Sequence, residues 1–312
     1  MKQETPRVRH VTVDERGDGQ RIDNFLLREL KGVPRTLIYR LLRKGEVRVN
    51  KGRAKAGRKL LAGDVVRIPP VRLPDVSVPG VPSVGAIERI EKTVIYEDNM
   101  LLIINKDSGL AVHGGSGISF GVIELLRASR PNQKALELAH RLDRDTSGCL
   151  MLAKKRSALR TLQQLQREGR VRKRYLALLN GRWSRDRQQV KLPLKKNTLK
   201  SGERVVRVDA AGKDAHTEFR VLRRFSNATL VEAELKTGRT HQIRVHAQYL
   251  GTPILGDEKY GDDQANHEFR RRGLKRLFLH AASLRFPWPD QAEPYAFEAP
   301  LSPELQQVLD KL

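Results

Sequence analysis

Cysteine is almost missing from this chain of 312 residues: there is one, Cys149. No internal disulfide can form, and there is no paired-cysteine zinc site. A reducing cytoplasm is the compartment this implies, and Cys149, set in an apolar run, reads as a small buried side chain. Aromatic residues make up only 5% of the chain, too few for an extended base-stacking surface. No apolar run reaches the roughly 18 residues of a membrane-spanning helix. Met1 to Pro6 lacks the apolar stretch of a secretory signal. Acidic residues are also in short supply, Asp+Glu 36 against Lys+Arg 60, for a formal net charge of +24. A charge that large draws a protein to polyanions. Nucleic acid is the expected partner; an anionic membrane surface is the competing one.

Two segments with different patterning are separated by a proline-rich stretch, Pro69 to Glu88, which holds Pro69, Pro70, Pro74, Pro79 and Pro82. Proline stiffens such a stretch. We expect a flexible tail at 1–16 with room for one strand at Val8–Val13, a small domain at 17–80, a linker at 81–89 and a larger domain at 90–312. In the small domain Ile22, Phe25, Leu26 and Leu30 recur at helical spacing. Pro34 opens a second helix with an apolar stripe of Leu37, Ile38, Leu41 and Leu42, closed by Gly45. Arg35, Arg40, Arg43 and Lys44 lie mostly off that stripe. Short strands follow at Val47–Val49 and Val65–Ile68, with a turn at Asn50-Lys51-Gly52. In the larger domain strands outnumber helices and hairpin spacings dominate. This predicts an α+β fold on a mainly antiparallel sheet. Helices are predicted from Phe120 to Ala128, Arg156 to Glu168 and His241 to Leu250, and the charged stretch Asp262 to Gly273 reads as an irregular insert.

The most informative stretch is Leu138-Ala139-His140-Arg141-Leu142-Asp143-Arg144-Asp145-Thr146-Ser147-Gly148-Cys149-Leu150. It is a polar knot between apolar runs, where two carboxylates are flanked by two guanidiniums. Neighbouring cations favour the ionised carboxylate. By residue type alone the stretch would suit a surface turn.

The full string His140-Arg141-Leu142-Asp143-x-x-Thr146-Ser147-Gly148 resembles the signature of the RluA family of pseudouridine synthases. Further motifs stand in family order: Asn105-Lys106-x-Ser108-Gly109, Lys173-Arg174-Tyr175-Leu176-Ala177, Gly238-Arg239-Thr240-His241-Gln242-Ile243-Arg244-Val245-His246 and Leu279-His280-Ala281. Together they run from about Ile90 to Leu312. Asp107 stands where the family usually has Pro. The resemblance implies a pseudouridine synthase fold and Asp143 as the catalytic carboxylate. It also implies Arg244 as the cationic partner of Asp143, and Tyr175 as the residue that stacks on the base and removes a ring proton. The small domain resembles the RNA-binding domain of ribosomal protein S-four, through Gln20-Arg21-Ile22-Asp23, Lys44-Gly45-x-Val47-x-Val49-Asn50 and Ala62-Gly63-Asp64-x-Val66. Within the pseudouridine synthase family, the amino-terminal portion of the chain and the Val112 to Gly117 run are most similar to those members that act on large-subunit ribosomal RNA.

Making pseudouridine breaks a carbon–nitrogen glycosidic bond, turns the base and joins carbon to the same sugar. There is no net redox change, so no cofactor is expected. A carboxylate suits the task as nucleophile or base. The uridine must leave its stack, and Arg141 is suited to fill the gap or hold a phosphate. His140 and Arg239 join Arg141, Arg35, Arg40, Arg43 and Lys44 as expected RNA contacts. The Gly114-Gly115-Ser116-Gly117 run fits no nucleotide-binding motif. His241 and His246 are not spaced as a zinc pair, so no metal is expected. The expected actor is a cytoplasmic monomer on large-subunit ribosomal RNA, without membrane or nucleotide cofactor. A non-catalytic RNA-binding assembly factor and a nucleoside hydrolase are the other classes this sequence leaves open.

Overall fold

The computed structural model describes residues 7–30, 33–71, 81–115, 119–198, 204–289 and 291–312. The chain divides into two compact units, split between Pro79 and Gly80.

In the first unit, β1 (Arg9–Thr12) is followed by α1 (Ile22–Glu29) and α2 (Arg35–Lys44). Three short strands follow: β2 (Arg48–Val49), β3 (Gly52–Arg53) and β4 (Val65–Ile68). The strands pair in the order β1-β4-β2-β3. The helical stripes meet this sheet as their spacing requires: Ile22, Phe25, Leu26, Ile38, Leu41 and Leu42 pack with Val47, Val49, Val66 and Ile68. Burying each such large apolar side chain stabilises by about 1.5–3 kcal/mol. Gly45 ends α2 in the left-handed conformation, φ 72°. Asn50 and Lys51 both have positive φ, the pattern of a tight hairpin turn. Asn50 then ties the hairpin down, donating to Asp64 and accepting from the Val65 N–H. The strand expected within Val8–Val13 is present as Arg9–Thr12, and as an antiparallel partner of β4 it belongs to the sheet rather than to a flexible tail. Residues 1–6 lie outside the described residues.

The second unit opens with a helix, α3 (Val84–Glu91), which replaces the linker expected at 81–89. Ser83 caps it by accepting from the Ala86 N–H, Ile90 is buried, and Glu91 pairs with Arg130. The elements that follow are β5 (Val94–Glu97), β6 (Leu101–Lys106), α4 (Val122–Ser129), β7 (Glu137–Leu138), β8 (Ser147–Ala153), α5 (Arg156–Arg167) and β9 (Arg172–Asn180). Next come β10 (Arg187–Lys191), β11 (Leu194–Thr198), β12 (Arg204–Val208), β13 (His216–Arg224), β14 (Ala228–Leu235) and α6 (Gln242–Tyr249). The chain ends with α7 (Asp263–Arg271), β15 (Leu279–Phe286), β16 (Tyr295–Glu298) and α8 (Pro303–Asp310).

One large sheet runs in the order β10-β13-β14-β9-β15-β8-β6-β5, with β16 beside β15 and β7 beside β8. Among the described residues its pairings are antiparallel except for β15 with β8. β8 is buried along its whole length, which is why Cys149-Leu150-Met151-Leu152-Ala153 is a continuous apolar run. The β8–β15 crossing needs Gly148. Its φ is 109°, and a Cβ there would lie 2.3 Å from the Ala281 carbonyl oxygen.

The insert expected to be irregular is α7. Its only fully buried large apolar side chain is Phe269, so it lacks a readable stripe. It is held by capping, with the Asp262 side chain accepting from the Ala265 N–H. Asn266 faces inward, accepts from the Gly256 N–H at 2.7 Å and donates to the Asp257 carbonyl at 2.9 Å.

Candidate active site

The signature residues form the turn that enters β8. Leu142 and Thr146 are buried, and the Thr146 N–H closes the turn on the Asp143 carbonyl. A second loop clamps it from beneath. Lys106 is fully buried and donates to the carbonyls of Asp107, Leu110 and Arg144, at 2.7, 2.8 and 2.9 Å. The Gly109 N–H also donates to the Arg144 carbonyl, and the Ser108 hydroxyl to that of Asp145. These bonds are made without the family's usual proline, since Asp107 contributes its carbonyl. Burial, with the Arg276 charge next, pulls the Lys106 ammonium down to about 7.

The turn separates its two carboxylates. Asp145 takes the adjacent Arg144, at 3.0 Å in the open. Asp143 points the other way, half-buried, toward α6. Its Oδ2 lies 3.5 Å from Arg244 Nη1 and its Oδ1 lies 3.8 Å from His241 Nε2.

Arg244 faces Asp143 as expected, but it has a second and tighter partner. Its strongest partner is Asp257, which it grips with Nε and Nη2, both at 2.7 Å. Its guanidinium also lies 4.9 Å from the centre of the Tyr260 ring. Asp257 Oδ1 accepts in addition from the backbone N–H groups of Lys259 and Tyr260. Burial acts to raise the Asp257 pKa, but Arg244 and those N–H groups outweigh it and hold the carboxyl below its usual range. Arg244 therefore reaches Asp143 from a fixed base, with only Nη1 free to do so.

Tyr175 sits in the middle of β9, 6% exposed, and its ring lines a hollow of about 670 Å³ with His140, Arg141, Asp143, Arg239, His241 and Arg244. Its hydroxyl makes no hydrogen bond among the described residues. Burial first, then the charge of Asp143, pushes its pKa up, so it stands as a neutral phenol. A larger hollow, about 1180 Å³, shares Arg141, Leu142, Asp143, Thr240, His241 and Arg244 with the first. Asp143 thus lines both hollows. The wider hollow carries Arg144, Lys259, Lys275 and Arg276.

Arg141 is exposed beside Asp143, and its side chain makes no hydrogen bond or ion pair among the described residues. Arg239 is exposed but holds the Asp214 carbonyl through Nε. His140 is not a cationic contact: its Nε2 accepts from the Met151 N–H at 3.1 Å, and burial drives its pKa well down. It braces the turn against β8. His280 and His246 are likewise committed, each to a backbone carbonyl and a hydroxyl. Among the described residues no three His, Cys, Asp or Glu side chains converge as a metal ligand set. Glu124 accepts from the N–H groups of Gly114 and Gly121, so a carboxylate already fills the start of α4. Ser116 and Gly117 lie outside the described residues. In the first unit Arg35, Arg40, Arg43 and Lys44 are all exposed on α2.

Sequence reading missed Asp257 and Tyr260. Asp257 sits in Gly256-Asp257-Glu258-Lys259, which reads as an ordinary charged turn. Its one local signal is that Gly256 has φ 77°, and a Cβ there would lie 2.0 Å from the Arg276 carbonyl oxygen.

A buried arginine set against one half-exposed carboxylate, an unbonded phenol and a basic cleft defines an enzyme that works on a polyanionic substrate. The comparisons give that class its family. Residues 100–249 match the family described as RNA pseudouridylate synthase, and residues 20–66 match the S4 domain. The chain is 55% identical over 306 residues to the ribosomal large subunit pseudouridine synthase C of Pasteurella multocida, covering 98% of this chain and 94% of that one. It is 53% identical over 315 residues to the protein of the same name from Escherichia coli strain K12, covering 100% of this chain and 99% of that one. Among solved structures, human RNA pseudouridylate synthase domain containing 4 matches with TM-score 0.59 and 26% identity, over 72% of this chain and 94% of that one. The chain belongs to the RNA pseudouridylate synthase family: it is a pseudouridine synthase with an amino-terminal S4 domain.

Proposed function

We propose that this enzyme converts uridines of large-subunit ribosomal RNA to pseudouridine, with Asp143 as the catalytic carboxylate. The observation that carries the reading is the placement of Asp143 in the wall common to two hollows, with one oxygen toward Arg244 and the other toward His241. The ribosomal substrate rests on the names of the relatives that match over nearly the whole chain.

The uridine flips out of its stack into the hollow beside Tyr175, at a cost of a few kcal/mol in unstacking. The uracil lies against the Tyr175 ring, and Leu235, Ile243 and Leu279 supply further apolar wall. Asp143 faces the sugar and acts as nucleophile or base there. A phenol held neutral by burial is better placed to pack on the base than to remove its ring proton as a phenolate. Arg141, unpaired and exposed, takes the space the base leaves or a neighbouring phosphate. The exposed cations of α2 hold RNA phosphates. The chemistry calls for no cofactor, and we read the protein as a cytoplasmic monomer.

The test is incubation with a large-subunit ribosomal RNA transcript. An isomerase gives pseudouridine, a hydrolase leaves abasic sites, and a binding factor gives neither. Asp143→Asn should lower the single-turnover rate by at least about 10⁴-fold, a loss typical of removing a principal catalytic group. Asp145→Asn should retain activity, because Asp145 is turned away to Arg144. Turnover by Asp143→Asn at a rate near that of the wild type would refute the assignment.

A further inference from the structure

The Tyr260 hydroxyl has two partners among the described residues. The Val206 N–H donates to it at 2.9 Å, and His241 Nδ1 lies 2.8 Å away. A phenol carries one proton. With Val206 already donating, the direction that uses this proton sends it to Nδ1, so Nδ1 accepts. The proton of the neutral imidazole is then on Nε2, the nitrogen that faces Asp143 Oδ1 at 3.8 Å. Arg244 Nη1 faces the other oxygen at 3.5 Å. Each oxygen of Asp143 therefore has its own N–H neighbour, and neither contact is yet a short hydrogen bond. Contacts of this length in a substrate-free site tighten when substrate enters.

The backbone is shaped for this. His241 is the residue before α6 and has φ 54° and ψ 21°, a left-handed conformation that is uncommon outside glycine. Its ring packs edge-on against Tyr260, with centroids 5.4 Å apart. Tyr260 in turn lies over the Arg244 guanidinium.

We propose that Tyr260 fixes His241 as its Nε2–H tautomer, and that His241 is thereby a positioning residue for the Asp143 carboxylate. The inference rests on Asp143 being the catalytic group and deepens that reading. The charged and titratable groups facing His241 are Asp143, Arg244, Lys259, Asp257 and Tyr260, and burial favours the neutral imidazole.

The test is single-turnover pseudouridine formation by the full chain on an RNA stem-loop at saturating enzyme, from pH 5 to 9, with RNA affinity measured alongside. Asn is tolerated at left-handed positions but is too short to reach Asp143. His241→Asn should slow the reaction on the order of tenfold to a hundredfold, with RNA affinity unchanged. His241→Gln, whose amide N–H reaches toward the Nε2 position, should recover part of that loss. Tyr260→Phe keeps the ring against Arg244 and removes only the hydroxyl. Its imidazole then populates the wrong tautomer at neutral pH. Its deficit should shrink toward acid pH, because a protonated imidazole has N–H at both nitrogens whatever Tyr260 does. In the His241→Gln background Tyr260→Phe should cost little more. A His241→Asn rate equal to wild type, or a Tyr260→Phe deficit constant across pH, would overturn the proposal while Asp143→Asn remains inactive. An active Asp143→Asn would instead remove the reading on which it rests.

Discussion

Removing Arg244 should damage the fold before it damages the chemistry, because its main load is Asp257. The Asp257 side chain is 0% exposed and Arg244 holds both of its oxygens at 2.7 Å. Arg244→Ala leaves that carboxylate buried with only the Lys259 and Tyr260 N–H groups. Breaking a buried pair by deleting one partner costs about 3–5 kcal/mol. With a urea dependence of about 2.5 kcal/mol/M for a unit of this size, the unfolding midpoint should fall by about 1–2 M. Both tryptophans, Trp183 and Trp288, lie in the catalytic unit, so their fluorescence reports on that unit alone. The pH dependence carries the sharper signature. In the wild type the Asp257 pKa is depressed, so its stabilisation is present above the ordinary carboxylate value of about 3.9 and is lost as pH falls through the lower folded value. In Arg244→Ala burial acts against fewer partners, and the folded pKa rises above the unfolded one. Protonation then favours the folded state, so the variant's deficit should narrow between pH 7.5 and 5. Adding Asp257→Asn should restore part of the midpoint, since it removes the charge but keeps an oxygen for the two backbone N–H groups. An unchanged midpoint in Arg244→Ala, or a deficit that widens toward pH 5, would refute the reasoning.

The remaining expectations are simpler. Replacing Arg35, Arg40 and Arg43 together with Ala should weaken RNA binding and reduce the log–log salt slope by roughly 0.7 to 0.9 for each phosphate that is no longer neutralised; an unchanged slope means that this face of α2 is only solvated. Gly148→Ala should abolish activity and destabilise the catalytic unit, because its Cβ meets the Ala281 backbone at 2.3 Å and φ is 109°; wild-type fluorescence unfolding would contradict this.

Local pattern determined a good deal by itself. The stripes of α1 and α2, the Gly45 stop, the Asn50-Lys51 turn and the continuous apolar run of β8 follow from side chains and turn residues that act within a few positions. The string around Asp143 singled out one carboxylate for the same reason, since its motif is contiguous. What failed did so where the stabilising partner lies outside the element itself. α7 has almost no apolar stripe because its inward residue is Asn266, whose partners are the backbone of Gly256 and Asp257. The β1 strand was legible in Val8–Val13, but its membership of a sheet was not, because that depends on β4, more than fifty residues away.

The charges show the limit most clearly. In the sequence Arg141, Asp143, Arg144 and Asp145 form one cluster, and any pairing among them is allowed. The tertiary structure sends Arg144 to Asp145, leaves Arg141 without a partner among the described residues, and brings Arg244 and His241 across from α6 to Asp143. It then fixes Arg244 on Asp257, a residue whose surroundings in sequence look like an ordinary turn. Coulomb interactions and hydrogen bonds depend on separation in space and on desolvation, and neither is encoded by neighbours along the chain. The sequence by itself determined which carboxylate stands in the signature; which groups face it, and from what anchor, was decided only when β8, α6 and the turn at Asp257 packed together.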